Sequence, residues 1–152
     1  MDLNENDIKF AKETIAKTGL FTTCTEDEIN QLLHGLEKQS YKQNATVLFQ
    51  GEISSRLCMV QSGLVSVWVR KGKEKVKVAD LEAGAFFGEI SLLTPRAATA
   101  TIKSEQETEI IFLPGEVVQA QAKKNPAFGA SLDKKIHERL ENSREATEHK
   151  DH

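Results

Sequence analysis

Residues 86–100 read Phe-Phe-Gly-Glu-Ile-Ser-Leu-Leu-Thr-Pro-Arg-Ala-Ala-Thr-Ala, and no other segment sets a glycine, a carboxylate, small residues and an arginine so close together in apolar surroundings. Phe86 and Phe87 end an extended run, and Gly88 permits a close backbone approach or a φ that other residues avoid. Glu89 to Leu93 has room for about one helical turn before Thr94 and Pro95 stop it, because the residue before a proline is pushed out of the α region. One turn still points unpaired backbone N–H groups in a common direction, which suits a small anion. Arg96 adds a planar, permanently charged fork matched to phosphate or carboxylate. Ala97 and Ala98 leave room for a ligand and are expected to keep their own N–H groups accessible.

Outward from this stretch the hydrophobic period is that of strands. From Tyr41 to Pro114 short β-prone runs alternate with glycine-bearing turns: residues 46–49, 57–61, 64–70, 75–81, 97–104 and 109–113. Within 64–70, Val65, Val67 and Val69 share one face, and Ser66, Trp68 and Arg70 the other. Many short strands with turns between them mean a sandwich, a jelly roll or a small barrel. Helical spacing brackets this region. Ile8, Ala11 and Ile15 predict a helix over 7–17 closed by Gly19. Thr25 and Glu28 form a capping box that opens a second helix carrying Ile29, Leu32, Leu33 and Leu36. Residues 115–124 return to helix. A last helix starts at Pro126, carries Phe128, Leu132, Ile136 and Leu140, and runs into 141–146. The remainder, with His149 and His152, reads as a polar, frayed tail.

The chain has 152 residues, 39% of them hydrophobic and 28% charged, and a net charge of −3. That is one ordinary globular domain with a core of its own, and too little length for a second. The acidic, polar N-terminus shows no signal peptide and no apolar run reaches membrane-spanning length, so no membrane partner is expected and the location is read as cytoplasmic. The two cysteines, Cys24 and Cys58, lack a Cys-x-x-Cys spacing and read as reduced thiols. A net negative charge argues against nucleic acid as a partner. The basic run of residues 70–77 reads as a solvated hairpin tip without aromatic interleaving.

Gly88-Glu89-Ile90-Ser91-Leu92-Leu93, followed by Pro95-Arg96-Ala97-Ala98-Thr99, resembles the phosphate-binding cassette of the cyclic nucleotide-binding domain family. That family includes regulatory subunits of cyclic AMP-dependent kinase, bacterial catabolite activators and cyclic nucleotide-gated channels. Gly19-Leu20-Phe21, Gln50-Gly51-Glu52, Ser62-Gly63 and Gly84-x-x-x-Gly88-Glu89 fall in the family's order, so the resemblance spans about 19 to 140. It implies an α+β, mainly β fold: a jelly-roll-like β-roll flanked by N-terminal helices and a C-terminal helical lid. The divisions are a helical segment at 1–18, the binding domain at 19–142 and the tail at 143–152.

The resemblance also implies the site. Arg96 would hold the exocyclic oxygens of the cyclic phosphate, and Glu89 would accept a hydrogen bond from the ribose 2′-hydroxyl. Gly88, Ile90, Ser91, Ala97 and Ala98 would line the same sugar and phosphate. Val78, Phe87, Ile136 and Arg139 are the candidates to meet the purine, with Val67, Val76, Leu81 and Leu140 also within the frame. Family members that prefer cyclic GMP often carry a hydroxyl residue directly after the arginine, and Ala97 stands there, which favours cyclic AMP. Glu89 and Arg96 are separated by six residues, shorter by one or two than in many members.

No catalytic residue, metal site or cofactor is read from the chain. A jelly-roll metalloenzyme needs histidines on its strands, and none lies between His34 and His137. The expected role is a non-enzymatic sensor in which nucleotide occupancy moves the C-terminal helix and so informs an effector protein or domain, with a homodimer as one way to use the helix. The alternative is a module that has lost its ligand and serves as a dimerisation or scaffold domain.

Overall fold

The computed structural model describes residues 3–150, with side chains described as far as Glu141; Met1, Asp2, Asp151 and His152 lie outside it. Helix α1 (Glu5–Thr18) starts at a capping box that sequence reading did not pick out, Asn4 with Asp7, and stops at Gly19 with φ 70°. Asp7 is buried, and its Oδ1 accepts from Lys38 Nζ at 3.0 Å and from Gln61 Nε2 at 2.6 Å. Burial pushes its carboxyl up, but the Asn4 amide, Gln61 and Lys38 overcome that and leave it below its usual range. Helix α2 (Glu26–Leu33) carries the expected box of Thr25 and Glu28.

Ten strands follow among the described residues: β1 (Glu37–Tyr41), β2 (Thr46–Leu48), β3 (Ile53–Ser54), β4 (Arg56–Ser62), β5 (Leu64–Lys71), β6 (Glu74–Glu82), β7 (Phe86–Phe87), β8 (Arg96–Ala97), β9 (Thr101–Ser104) and β10 (Thr108–Pro114). They form a sheet in the order β1-β10-β4-β7, a second in the order β2-β9-β5-β6, and a short ribbon β3-β8. Strand β1 was not expected, because Glu-Lys-Gln-Ser-Tyr offers no apolar alternation; it is recruited by antiparallel pairing with β10. The run expected over 97–104 is two strands, one in the ribbon and one in the second sheet. The basic run is the β5–β6 hairpin, turned at Gly72 with φ 64°.

Strands β4 and β10 are apolar on both faces. Leu57, Met59, Ile111 and Leu113 pack with Ile15, Leu20, Leu32 and Phe128 in a helical layer. Cys58, Val60, Ile110 and Phe112 face the other way, into the roll, with Val65 and Ile102 of the second sheet. Helix α3 (Gly115–Lys124) leads to α4 (Pro126–Lys150), which continues past the expected end into the segment read as a polar tail. Phe128, Leu132 and Ile136 bury the α4 stripe in the domain's own helical layer. Each step of four residues advances about 40° around a helix of 3.6 residues per turn, so by Leu140 the stripe has turned by about 120° from Phe128, and Leu140 packs only partly buried at the edge of that layer.

Glu28 ties the start of α2 to the α3–α4 junction. The Thr25 amide caps its carboxylate, and Asn125 Nδ2 and Gln121 Nε2 donate to Oε2 at 2.9 and 3.0 Å. These bonds, that of Thr25 foremost, hold its pKa at about 2 against an ordinary 4.5. The folded state therefore binds this proton less readily than the unfolded chain, and the stability Glu28 contributes is lost as pH falls from about 4.5 to about 2. Glu28→Gln is expected to flatten that part of the stability-versus-pH curve measured by urea unfolding, leaving the curve above about pH 5.5 (roughly one unit beyond the unfolded value) parallel to wild type.

Candidate functional site

The site is built where the β7 strand turns back on the start of β4. Gly88 has φ 86°, and a Cβ placed on it would lie 2.4 Å from the Arg56 carbonyl oxygen, so only glycine makes this approach. A 3₁₀ turn, Glu89–Ser91, follows. Ser91 is buried and its hydroxyl is spent inside the protein: it donates to the Gly88 carbonyl at 2.8 Å and accepts from the Arg56 amide at 3.3 Å. Ser55 Oγ donates to the Ser91 carbonyl at 2.8 Å, and the Gly115 amide bonds the Ser55 carbonyl at 2.7 Å. The turn is thereby bolted to the β10–α3 junction.

Arg96 is exposed in the two-stranded ribbon, opposite Ser54, with Ala97 opposite Ile53. The Ala98 amide donates to the Glu52 carbonyl at 2.8 Å, and the Gly51 amide to the Ala98 carbonyl at 2.8 Å. Ala98 therefore does not keep its N–H free, as the sequence had suggested, because the Gln50-Gly51-Glu52 turn needs it for pairing. Thr101 Oγ1 accepts from the Gln50 amide at 2.9 Å and finishes the same connection.

Between the Gly88 turn and the Arg96 ribbon lies a cleft of about 630 Å³. Phe87, Gly88, Glu89, Ile90, Ser91, Arg96, Ala97 and Ala98 all line it, so the fold brings the expected cassette residues together. Leu48, Cys58, Val67 and Ile102 form its apolar floor, and Leu140 of α4 reaches its edge. Of the four candidates for the purine, Phe87 lines the cleft and the other three do not. Val78 is 54% exposed on β6, the outer strand of its sheet and exposed from residue 74 to 80, and a bulge opposite Val67 and Trp68 leaves it unpaired. Ile136 is 3% exposed in the helical layer, for the rotational reason given above. Arg139 is turned away from the floor: Nη1 lies 3.6 Å from Glu89 Oε1, and Nη2 donates to the Thr18 carbonyl at the end of α1.

Sequence reading missed Arg56. It begins β4 and shares a face with Cys58 and Val60, a charge on an otherwise apolar alternation, and that pattern was the available signal. Its guanidinium lines the cleft and stacks on Phe112, 4.0 Å from the ring centroid. Burial pushes the Cys58 thiol up to about 12 and raises the Tyr41 phenol, with Arg56 pulling both back. Cys58 at the floor is thus an inert apolar wall rather than a thiolate.

Residues 38–125 match the cyclic nucleotide-binding domain family. The chain belongs to this family. It is 32% identical over 95 residues to a cAMP-dependent protein kinase regulatory subunit of Blastocladiella emersonii, covering 60% of this chain and 24% of that one. It is 30% identical over 104 residues to human potassium/sodium hyperpolarization-activated cyclic nucleotide-gated channel 4, covering 68% of this chain and 8% of the channel. The chain thus spans a quarter or less of these curated relatives. The regulatory domain of Toxoplasma gondii PKA, crystallised with cAMP, shares the fold with a TM-score of 0.68 at 22% identity, over 78% of this chain and 46% of that one. The β-roll, its flanking helices and the cassette are those of a cyclic nucleotide-binding regulatory domain. Among the described residues no helix is long and apolar enough to cross a membrane.

The Gly88 approach gives a direct check on the cassette. Gly88→Ala combines a positive φ with a 2.4 Å clash against backbone and is expected to cost about 1–3 kcal/mol, read as a lowered urea midpoint at unchanged slope.

Proposed function

We propose that this domain binds a cyclic nucleotide, cyclic AMP in preference to cyclic GMP, and transmits occupancy through α4 to an effector protein or domain without catalysing a reaction. The observation that carries the reading is the cleft itself: about 630 Å³, apolar at its floor, with Glu89 and Arg96 at its walls. That volume falls in the range of small-ligand sites. A cyclic phosphodiester bears one negative charge, which a guanidinium and oriented amides neutralise without a metal. Arg96 takes the exocyclic phosphate oxygens and Glu89 accepts from the ribose hydroxyl. The purine lies over Val67 and Phe87 with Leu140 at its edge. Ala97 after the arginine, and the cAMP named with the kinase-type relatives, support the choice of base.

Coupling follows from Arg139. Its pair with Glu89 is partly buried, with side chains 32% and 21% exposed, so changes at Glu89 are felt in α4 through little intervening water. A ribose hydroxyl at Glu89 alters the carboxylate that Arg139 holds. Nucleotide shifts the position of α4 only by as much as it binds one arrangement of that pair better than the other.

Calorimetric titration with cyclic AMP and cyclic GMP tests the binding. Micromolar association with the wild type is expected, and Arg96→Ala should weaken it by about 2 kcal/mol or more, roughly 30-fold, because the phosphate loses its charge partner. Saturation in neither titration would leave the ligand-free scaffold as the function. For coupling, hydrogen exchange along α4 should change on adding cyclic AMP to the wild type and should cease to respond in Arg139→Ala. An α4 response that survives the substitution would assign coupling to another contact.

A further inference from the structure

Arg56 stands in the cleft wall as a partly buried cation with no carboxylate of its own. Among the described residues it belongs to no ion pair, and the one nearby acid of the cassette, Glu89, is engaged by Arg139. An arginine removed from water normally carries a partner, since desolvating a charge is costly. Phe112 covers one face of the guanidinium at 4.0 Å, and its other neighbours, Tyr41 and Cys58, are neutral groups, so its charge has no counter-ion among the described residues. The backbone of Arg56 is held on the cassette from two sides, its carbonyl against Gly88 and its amide on Ser91 Oγ. Ser54, two residues before it, is the residue opposite Arg96. The two guanidiniums therefore approach the same cleft from adjoining positions, Arg56 from inside the roll and Arg96 from the exposed rim.

We propose that Arg56 is a second phosphate-binding residue for the cyclic nucleotide, sharing with Arg96 the charge of the cyclic phosphodiester. This rests on the nucleotide-binding reading above. Arg96 lies in an exposed ribbon, where water weakens its hold on an anion, and the partly buried Arg56 supplies the less screened half of the clamp. Phosphate rather than purine is its target. A cation beside Gly88 and Ser91 faces the sugar-phosphate end that both nucleotides share, and the phosphate oxygens are the acceptors there that carry charge.

The test is titration of wild type, Arg56→Gln and Arg56→Lys with cyclic AMP and with cyclic GMP at low and high salt, alongside urea unfolding without ligand. Arg56→Gln is expected to lose at least about tenfold in affinity for both nucleotides and to show a weaker salt dependence of binding than wild type. Arg56→Lys should recover part of the loss, and the urea midpoint of ligand-free Arg56→Gln should stay at or above that of wild type, because an unpaired cation has been removed. Affinity within twofold of wild type, a loss confined to cyclic GMP (a base contact), or a loss matched by a lower urea midpoint (a packing role) would each overturn the proposal. Wild type that binds neither nucleotide at about 1 mM removes the nucleotide reading itself, an outcome distinct from wild type that binds while Arg56→Gln binds equally well.

Discussion

Strand β4 is buried on both faces, and the remainder of the architecture depends on that. Leu57 and Met59 serve the helical layer while Cys58 and Val60 serve the roll, and its neighbour β10 divides in the same way, so this strand pair joins two hydrophobic cores that share no buried residue. A one-residue slip of β4 would exchange the two sets and place Arg56 in the helical layer. Its register is held by pairing with β10 on one side and β7 on the other, and β7 runs directly into Gly88. The cassette is therefore positioned by core packing. The Gly88 turn rests on the Arg56 carbonyl because the strand that carries Arg56 has no freedom to move.

Electrostatics concentrates charge at two places despite the chain's modest net charge. Asp7, Lys38 and Gln61 form a buried polar knot linking α1, β1 and β4, with Lys38 also 3.3 Å from Glu109. Such a knot contributes registry more than net stability, since desolvation offsets much of the attraction. At the other end of α1, Arg139 joins Glu89 of the cassette to the Thr18 carbonyl. Helix α4 thus has two kinds of attachment. An apolar one, through Phe128, Leu132 and Ile136, lies in the helical layer away from the cleft; a charged one, through Arg139, ends at Glu89 in the cleft wall. The helix is thus anchored by apolar burial at its start and by a partly buried charge further along.

Much of this was legible in the amino-acid order because the signals are local. The Thr25–Glu28 box, the Gly19 stop, the alternation of β5, the hairpin at Gly72 and the cassette between Gly88 and Ala98 each depend on residues within a few positions of one another. What escaped has equally specific causes. Strand β1 has no apolar pattern and exists because β10 offers it a ladder. Val78 was a candidate as an apolar residue of the roll, but it lies on an outer strand whose exposure depends on the order of strands in the sheet. Ile136 follows a stripe whose steady rotation delivers Leu140, and not Ile136, to the cleft.

Turn chemistry, capping and periodicity act over short range, and they carry the family, the succession of helices, β-roll and helices, and the group of small and charged residues that makes the cassette. Which distant groups meet there is a matter of the folded whole. Arg56 and Ser91 are 35 positions apart and touch through one hydrogen bond; Arg139 reaches Glu89 from the last helix. Those meetings depend on sheet register and helix rotation, which are set by burying apolar surface from the whole chain at once, and no spacing within a segment encodes them.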